Sequence, residues 1–465
     1  MKAEEQRATY TATQASAPTE WPKVPFEQVA TPQSDRGKRI KQRDYLPEGR
    51  IPVIDQGQSL IGGYTNDGDF AFLGELPVIL FGDHTRAVKL VDHRFAVGAD
   101  GIKIFRPAEG VRPKYLYYWM KSARIPDRGY GRHYQYLRQL SVPLPPPNKQ
   151  EEIVAEIEKQ FSRLDEAVAN LKRVKANLKR YKAAVLKAAV EGRLVETEAE
   201  RARREGRSYD TGAQLLQRIL ETRRSQWKGK GKYKEPAAPD TTDLPELPEG
   251  WGWANCGAVL SDIEAGASFK CIERPPVEDE TGVLKVSAVT WGTFNELESK
   301  TCSDPDRIEE DYLVRQGDFL FSRANTIDLV GACVIVHQVS KRLMLSDKTL
   351  RFRVSSSVSE HWLLTCLRSK FGRDEIERLA TGNQESMRNI GQERIRQIRM
   401  PLPPLAEQLR IVAEVGRCLT LLSGTEAQAE ANLQRAERLR QSILQRGFSG
   451  RGDVSSTRTK WEPTK

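Results

Sequence analysis

Three short loops in the N-terminal half of the chain concentrate side chains that can hydrogen-bond to the flat edge of a ligand. They combine amide, hydroxyl, imidazole and guanidinium groups with nearby glycines, which let a backbone come close to a partner. One loop surrounds Gly62 and Gly63, one begins at Gly82, and one ends a glycine-rich turn. The candidate binding residues are Gln56, Gln58, Tyr64, Asn66, Asp83, His84, Thr85, Arg86, Arg132, His133 and Tyr134.

The C-terminal half contains comparable loops at residues 322–325, 346–348 and 382–388. Arginine and lysine can pair with guanine, asparagine and glutamine with adenine, and acids can accept from cytosine. Other members of such a set would bind phosphates and fix the register of the protein on the duplex. The candidates here are Ser322, Arg323, Asn325, Lys348, Asn383, Gln384 and Arg388.

Each of these loops also has a purely structural interpretation. Aspartate and asparagine beside glycine are ordinary turn residues. His84 and His133 suit hydrogen bonding within a loop better than metal binding, and no metal site is predicted. The DNA-binding hypothesis therefore depends on the whole set of loops and on no single member.

Short apolar runs adjoin these loops and predict the strands that must position them. Helix-like stretches near residues 114–122 and 360–371 complete two heads of α/β character. The predicted strands are residues 50–54, 77–81 and 101–105 in the first head, and 283–286, 319–322 and 333–336 in the second.

The chain contains an internal repeat. The run Pro143-Leu144-Pro145-Pro146 returns as Pro401-Leu402-Pro403-Pro404, and Gln150 recurs in register as Gln408. The ungapped match extends from residues 138–140, which mirror 396–398, to residues 192–193, which mirror 450–451. One matching proline run could arise by chance, but a match of this length indicates tandem duplication.

Each proline run is followed by a long helical pattern. Residues 150–189 contain neither proline nor glycine, and apolar residues recur at steps of three or four. About forty residues at a rise of about 1.5 Å give a helix of roughly 60 Å with a narrow apolar seam. The second copy contains Gly416 and Gly424, which weaken it in isolation.

Neither apolar stripe is wide enough to form a hydrophobic core by itself. Each long helix is therefore the most available packing partner of the other. A generic helical hairpin is one interpretation of this pattern. The repetition favours another, in which a symmetric spacer holds two heads apart. DNA requires such spacing because half-sites on one face recur about every 34–36 Å.

The composition of the chain limits the kinds of partner and site that it can have. The formal net charge of +10 and the pI near 9.2 are compatible with a polyanionic partner. The six cysteines form no C-x-x-C pair, which disfavours a closed zinc site and fits a reducing cytoplasm. The N-terminus lacks the pattern of a secretory leader, and the chain has no apolar run long enough to span a membrane.

On these motifs the chain resembles the DNA-specificity subunit of type I restriction–modification enzymes. The stretch Gly317–Asn325 is similar to one common in the recognition domains of that family. The other matching motifs are Val142–Pro146, Gln150 with Ile153, Val154 and Ile157, Leu178–Lys182, Gly192–Leu194 and Leu247–Trp251.

The resemblance implies a mixed α+β fold. Two α/β target-recognition domains are separated by a pair of long, antiparallel coiled-coil helices in a tandem pseudo-twofold repeat. The implied boundaries are a flexible N-terminus at 1–20, the first recognition domain at 21–147, a central spacer helix at 148–195, a charged linker at 196–250, the second recognition domain at 251–404, a C-terminal spacer helix at 405–450 and a tail at 451–465.

The resemblance also implies a division of labour within a cytoplasmic host-defence complex. Each recognition domain reads one half of a bipartite, asymmetric site in double-stranded DNA, while the helices set the spacing and dock two modification (methyltransferase) subunits. Restriction (translocase–endonuclease) subunits join that core. No cofactor is expected in this subunit, and S-adenosylmethionine, ATP and Mg²⁺ are expected on the partners.

The motif search supports a non-catalytic role. No G-x-x-x-x-G-K-[ST] loop and no Asn-Pro-Pro-aromatic tetrapeptide occur in the chain, and no catalytic residue is assigned. The alternative function is a coiled-coil scaffold whose heads bind proteins. The charged stretch from Glu196 to Tyr233 contains a short apolar periodicity at Leu215, Leu216, Ile219 and Leu220 and ends in a basic run from Arg223 to Lys234. It stays open between a phosphate- or subunit-contacting arm and a solvated, partly disordered linker.

Overall fold

The computed structural model of the protein describes residues 21–99, 101–129, 131–228, 231–384 and 387–449. The segments expected as a flexible N-terminus and a tail lie outside these residues, as do Lys230, Glu385 and Ser386. The backbone of Asn383 is described, but its side chain is not.

The chain alternates short strands with helices up to the end of the first long helix. In chain order these are β1 (Lys23–Pro25), α1 (Phe26–Val29), β2 (Ala30–Gln33), β3 (Arg39–Ile40), β4 (Ile51–Ile54), β5 (Gly63–Thr65), β6 (Val78–Gly82), β7 (Val88–Val91), β8 (Ala96–Gly98), β9 (Ile102–Pro107), α2 (Pro113–Ser122), α3 (Tyr134–Leu137), β10 (Ser141–Pro143) and α4 (Pro147–Val190).

Two helices then lead into the second head. The remaining elements are α5 (Glu198–Glu205), α6 (Gly212–Ser225), β11 (Gly252–Asn255), α7 (Cys256–Val259), β12 (Leu260–Ala265), β13 (Cys271–Ile272), β14 (Thr281–Leu284), β15 (Ser299–Cys302), β16 (Phe319–Ser322), β17 (Ala324–Asn325), β18 (Cys333–Ile335), β19 (Arg342–Met344), β20 (Thr349–Val354), α8 (Glu360–Arg368), α9 (Lys370–Leu379), β21 (Thr381–Gln384), β22 (Met387–Asn389), α10 (Gln392–Arg396), β23 (Arg399–Leu402) and α11 (Leu405–Gly447).

These elements form two compact units. Unit 1 contains the described residues up to Arg173 together with those from Ala429 onward, and unit 2 is Val174–Gln428. Each unit therefore contains one head and a part of each long helix.

The head of unit 1 contains two four-stranded sheets. The first is antiparallel in the order β2-β9-β6-β7, and the second has the order β3-β8-β4-β5. All five residues of β6 are buried because the strand lies between two cores. Phe81 faces the core formed with α1 and α2, whereas Leu80 faces the core of the second sheet. This two-sided burial explains why β6 is uniformly apolar in sequence.

The head of unit 2 repeats the topology of the first of these sheets. Its first sheet is antiparallel in the order β12-β20-β16-β18, which matches β2-β9-β6-β7 strand for strand. Strand β16 is again buried on both faces, with Phe321 in one core and Leu320 in another. The ribbon β11–β23 matches β1–β10. Duplication therefore extends to heads whose sequences show little similarity.

The two long helices are α4, of 44 residues, and α11, of 43 residues. In unit 1, Ile157 near the start of α4 shares a core with Ile443 near the end of α11. In unit 2, Ala189 near the end of α4 shares a core with Ile411 near the start of α11. Between these buried ends the apolar residues become more accessible, and Tyr181 is 58% exposed.

The repeated glutamine ties the first long helix to its head. Gln150 is fully buried. Its Oε1 accepts from the backbone N–H of Arg112, which is the N-cap of α2, at 2.8 Å. Its Nε2 donates to the carbonyl oxygens of Pro145 at 2.9 Å and of Gly110 at 3.1 Å. One side chain thereby joins α2, the proline run and the first turn of α4.

Gln408 makes the same connection in the second copy. Its Oε1 accepts from the backbone N–H of Ser359, the N-cap of α8, at 3.0 Å, and its Nε2 donates to Pro403 O at 2.9 Å. We call the contacts of Gln150 and of Gln408 the glutamine clasps. They explain why this glutamine recurs at the same distance from each proline run.

A second bond reinforces each clasp. The hydroxyl of Tyr115 donates to Pro143 O at 2.6 Å, and the indole Nε1 of Trp362 donates to Pro401 O at 3.1 Å. Both aromatic residues occupy the third position after the N-cap of their helix. The carbonyl oxygens of Pro143 in β10 and of Pro401 in β23 are thus paired with buried side-chain donors.

Replacing Gln150 with methionine keeps the volume of the side chain and removes its polar atoms. We expect a loss of about 1–3 kcal/mol for each buried partner that is left without a hydrogen bond. The same change at Gln160, which bonds only Glu156 on the same helix, should cost less than about 0.5 kcal/mol. Hydrogen exchange resolved by peptide should show faster exchange at the start of α2 and α4 in the first variant only. Equal effects of the two substitutions would refute the clasp.

Candidate nucleic-acid interface

Two of the predicted loops in the first head meet at the ends of their strands. Gln56 follows β4, while His84 and Thr85 follow β6. The hydroxyl of Thr85 donates to Gln56 O at 2.5 Å, and the backbone N–H of His84 donates to Gln56 Oε1 at 3.3 Å. The amide of Gln56 therefore braces the neighbouring loop, and Gln58, two residues further on, is exposed.

The third loop joins them through Asp83 and His133, which are both buried. The backbone N–H of His133 donates to Asp83 O at 2.8 Å, and the backbone N–H of Tyr134 donates to Asp83 Oδ1 at 2.7 Å. His133 Nε2 accepts from the backbone N–H of Arg128 at 3.3 Å, which leaves Nδ1 to donate to Asp83 O at 2.9 Å. These two side chains connect the loops, as the structural interpretation of His133 anticipated.

The remaining candidates of this head lie in different surroundings. Arg132 is exposed, and the guanidinium of Arg86 bonds Asp127 Oδ2 at 2.6 Å. Tyr64 lies within β5, and Asn66 follows it, where its Oδ1 accepts from the backbone N–H of Arg50 at 3.0 Å. Tyr64 and Asn66 are therefore not part of the hydrogen-bonded loop cluster.

A buried lysine beneath this cluster was missed by the sequence analysis. Lys89 on β7 donates through Nζ to Asp55 O at 2.7 Å and lies 3.6 Å from Asp55 Oδ1. Burial lowers the pKa of Lys89, although Asp55 opposes this effect. Burial and the same carboxylate raise the pKa of Tyr45 to about 12. The sequence signal that could have revealed Lys89 is a charged residue at an inward-facing position of a strand.

The loops of the second head also converge. The backbone N–H of Arg323, just after β16, donates to Lys348 O at 2.9 Å. The backbone N–H of Ile390, just before α10, donates to Arg323 O at 2.9 Å. Lys348 is exposed, whereas Ser322 is completely buried. Asn325 uses its Oδ1 to accept from the backbone N–H of Thr326 at 2.9 Å.

The candidates of residues 382–388 lie on a three-stranded ribbon with the order β17-β22-β21. Gln384 on β21 is exposed. Arg388 on β22 is half-buried and turned to its own ribbon, since its guanidinium donates to Gly382 O at 2.6 Å and to Ala380 O at 3.1 Å. Asn383 also belongs to β21, and its side chain lies outside the described part of the chain.

The two polar clusters occupy the same topological place. In the first head the loop after β6 bonds the segment before α3, and in the second the loop after β16 bonds the segment before α10. Strands β6 and β16 correspond in the two sheets. The tertiary structure therefore gives each head one polar surface at an equivalent position, built from different side chains.

Known proteins with similar sequences are specificity subunits. The EcoEI specificity subunit of Escherichia coli is 30% identical over 298 residues, which are 62% of this chain and 49% of that protein. The EcoKI specificity subunit of Escherichia coli K12 is 22% identical over 317 residues, 67% of this chain and 57% of that protein. The chain is thus similar in sequence to type I specificity subunits. It spans about half the length of these curated relatives.

One solved structure has a similar fold. A chain from a study of complex assembly and conformational transition of the type I restriction–modification system superposes with a TM-score of 0.55 at 17% identity. The match covers 93% of this chain and 98% of that chain. No family model matches the sequence. No helix in the described ranges is both long enough and apolar enough to cross a membrane.

The central segment of the chain is folded over residues 198–225. Both α5 and α6 begin with a capping box, at Thr197 and Thr211, and Leu215 and Ile219 of α6 are buried in the core of unit 2. The alternative of a solvated, partly disordered linker is therefore wrong for this part. The apolar periodicity at Leu215, Leu216, Ile219 and Leu220 was the signal for α6, but it is short and lies in a highly charged stretch.

Two members of the basic run have structural partners. Arg223 donates to the carbonyl oxygens of Gly257 and Leu260, both at 2.6 Å, and to that of Ala258 at 3.0 Å. Arg224 bonds Glu235 Oε2 at 2.6 Å. These two guanidinium groups are engaged within unit 2, so they are poor candidates for phosphate binding.

A buried carboxylate ties the C-terminal ribbon strand to helix α9. Arg399 on β23 donates to Glu375 Oε1 at 2.6 Å and pairs with Asp243 at 2.5 Å, while Arg378 donates to Glu375 Oε2 at 2.8 Å. Burial alone would raise the pKa of Glu375. The hydrogen bonds from Arg399 and Arg378 outweigh burial and lower that pKa to about 2.

This shift predicts acid sensitivity. Because the folded-state pKa of Glu375 is depressed, its contribution is present above the ordinary value of 4.5 and is lost as pH falls toward about 2. The difference corresponds to about 3 kcal/mol. Glu375→Gln should lower stability at pH 7 and flatten this acid dependence in urea unfolding measured over a pH series. Glu377→Gln, at an exposed pair with Arg373, should keep the wild-type dependence. A parallel pH profile for wild type and Glu375→Gln would contradict the assignment.

Proposed function

We propose that this chain is the DNA-specificity subunit of a type I restriction–modification complex and that each recognition domain reads one half of a bipartite, asymmetric site. The observation that carries the proposal is the equivalent position of the two polar clusters on heads whose first sheets share one topology. A duplicated frame with different polar side chains suits the recognition of two different half-sequences. The similarity to specificity subunits supports the same conclusion.

Within each cluster we assign direct contacts to the exposed members. Gln58 and Arg132 in the first head, with Lys348 and Gln384 in the second, can reach a duplex. Buried Asp83, His133 and Ser322 support the loops from below and do not touch DNA in this proposal. Preorganised loops of this kind lower the entropy lost when a contact residue becomes fixed on binding.

The long helices are proposed to act as an antiparallel coiled-coil spacer with pseudo-twofold symmetry. The contacts of the start of α4 with the end of α11, and of the end of α4 with the start of α11, support this arrangement. The exposed apolar positions between them, among which are Tyr181 and Leu421, support docking of methyltransferase subunits. Interfaces are enriched in aromatic and apolar anchors of this type.

We assign no chemical step to this chain. In the proposed complex, S-adenosylmethionine belongs to the modification subunits, and ATP and Mg²⁺ belong to the restriction subunits. The contribution of this chain is then to decide where on the DNA its partners act.

DNA binding should depend steeply on salt. Substituting Lys348, whose exposed ammonium is proposed to contact a phosphate, should weaken binding equally on all sequences and reduce the slope of log K against log salt by about one. Lys159→Ala, at an exposed site on α4, serves as the matched control and should leave the slope unchanged. Fluorescence anisotropy across a salt series measures both. A flat salt response of the wild-type complex would favour the protein-binding scaffold.

If the long helices act as a spacer, the gap between the two half-sites can be changed without changing the half-sequences. Inserting one heptad into α4 and one into α11 adds about 10 Å to each helix and keeps its apolar stripe in phase. The methylated site should then show a longer gap between two unchanged half-sequences, as mapped by adenine methylation in cells that express the complex. Altered half-sequences with an unaltered gap would exclude the spacer role.

A further inference from the structure

The second head contains a three-stranded ribbon that the described residues of the first head do not form. In the first head, residues 123–133 connect α2 to α3 without a strand among the described positions. In the second, residues 369–391 connect α8 to α10 and contain α9 and the strands β21 and β22. Strand β22 pairs with β17, directly after the loop that follows β16, and β21 pairs with β22 at the edge of the ribbon. The insertion therefore lies within the polar cluster itself.

Two arginines make this ribbon rigid. The guanidinium of Arg388 spans Gly382 O and Ala380 O, and Arg323 Nε donates to Asn389 Oδ1 at 3.3 Å. A planar guanidinium bonded in this way has little freedom to turn toward a base. Arg323 and Arg388, which the sequence analysis gave as candidate DNA-binding residues, thus stiffen the ribbon.

Gln384 and Met387 are the outward-facing pair of this ribbon. They are direct cross-strand partners, so their side chains lie on the same face about 4.5–5.5 Å apart at Cβ. Gln384 is exposed, and Met387 is 58% exposed and belongs to none of the hydrophobic clusters formed by the described residues. An amide beside an unpacked thioether is a surface with one polar half and one apolar half.

One base pair has a matching edge. In the major groove, an A·T pair presents adenine N7 and N6 next to thymine O4 and the thymine C5-methyl group. Glutamine can bond N7 and N6 together, and an apolar side chain can cover the methyl group. The major groove is about 12 Å wide and admits a two-stranded β-ribbon, whose strands lie about 4.8 Å apart.

We propose that Gln384 and Met387 read one A·T pair in the major groove of the half-site bound by the second head. Arg388 and Arg323 are positioning residues that hold this pair in place. The inference rests on the proposed function, because it assigns part of that DNA recognition to particular side chains. It also makes the two heads different in kind, one reading with loops and the other with a ribbon.

The test uses the full chain assembled with its modification subunits and duplexes that carry the mapped site. At each A·T pair of the half-site, thymine is replaced by uracil, which removes only the methyl group. Wild type should lose about fourfold in affinity at one position, as expected for one buried methyl group. Met387→Ala should lose a similar factor on thymine and become insensitive to uracil there, whereas Met387→Leu should retain the sensitivity.

Gln384→Ala should lower discrimination in favour of adenine at that same position by about 5- to 150-fold. Arg388→Lys should weaken discrimination at this position without changing the salt slope, because the positive charge is kept and only the fork geometry is lost. Leu297→Ala, which truncates a side chain on the same head that is 59% exposed, is the matched control and should change neither property.

The outcomes separate this inference from the function on which it rests. A wild-type complex without sequence-dependent binding would overturn the proposed function. Only the reading by the ribbon would be overturned by a second outcome. In that outcome the wild type binds sequence-specifically, but Met387→Ala responds to uracil as wild type does at every A·T pair. The predicted loss of the thymine–uracil difference at a single position supports it.

Discussion

The architecture depends on the glutamine clasps. A fully buried primary amide must find partners for its oxygen and its two N–H groups, and Gln150 finds them on α2 and on the proline run before α4. Gln408 does the same on α8 and its own proline run. Because leaving a buried polar group unpaired is costly, the direction in which each long helix leaves its head is closely specified. A spacer is useful only if such a joint is stiff.

The polar surfaces of the heads follow the same principle. Residues that connect the loops, such as Asp83 and His133, are buried and use their hydrogen-bonding capacity inside the protein. Residues beside them, such as Arg132, remain exposed. Rigid support below and accessible groups above are what a recognition surface needs, because a contact residue must be held close to its productive geometry.

The shared topology of the first sheets explains how two duplicated heads can differ widely in sequence. In both heads the central strand is apolar on both faces because it separates two cores. The residues of this strand must therefore stay apolar, whereas the loops at its end can vary in sequence. The second head has used that freedom to add α9 and a three-stranded ribbon, and the first has kept a short connection. In the proposed function, this variation lets one repeated sheet topology serve two different half-sequences.

The sequence by itself determined the repeat, the two long helices, the proline entries and the family resemblance. These features are local or periodic, so neighbouring residues suffice to reveal them. Most of the strands beside the candidate loops were also predicted, because β4, β6, β9, β16 and β18 are compact apolar runs.

Only the tertiary structure decided which candidates stay exposed and which are used within the fold. Asp83 meets His133 across fifty residues of sequence, and Gln56 meets Thr85 through loops on different sheets. Arg388 and Arg223 carry the charge expected of DNA contacts but are engaged by carbonyl oxygens of their own unit. Residue type shows what a side chain can bond, whereas the choice between DNA and protein depends on the groups that long-range folding brings beside it.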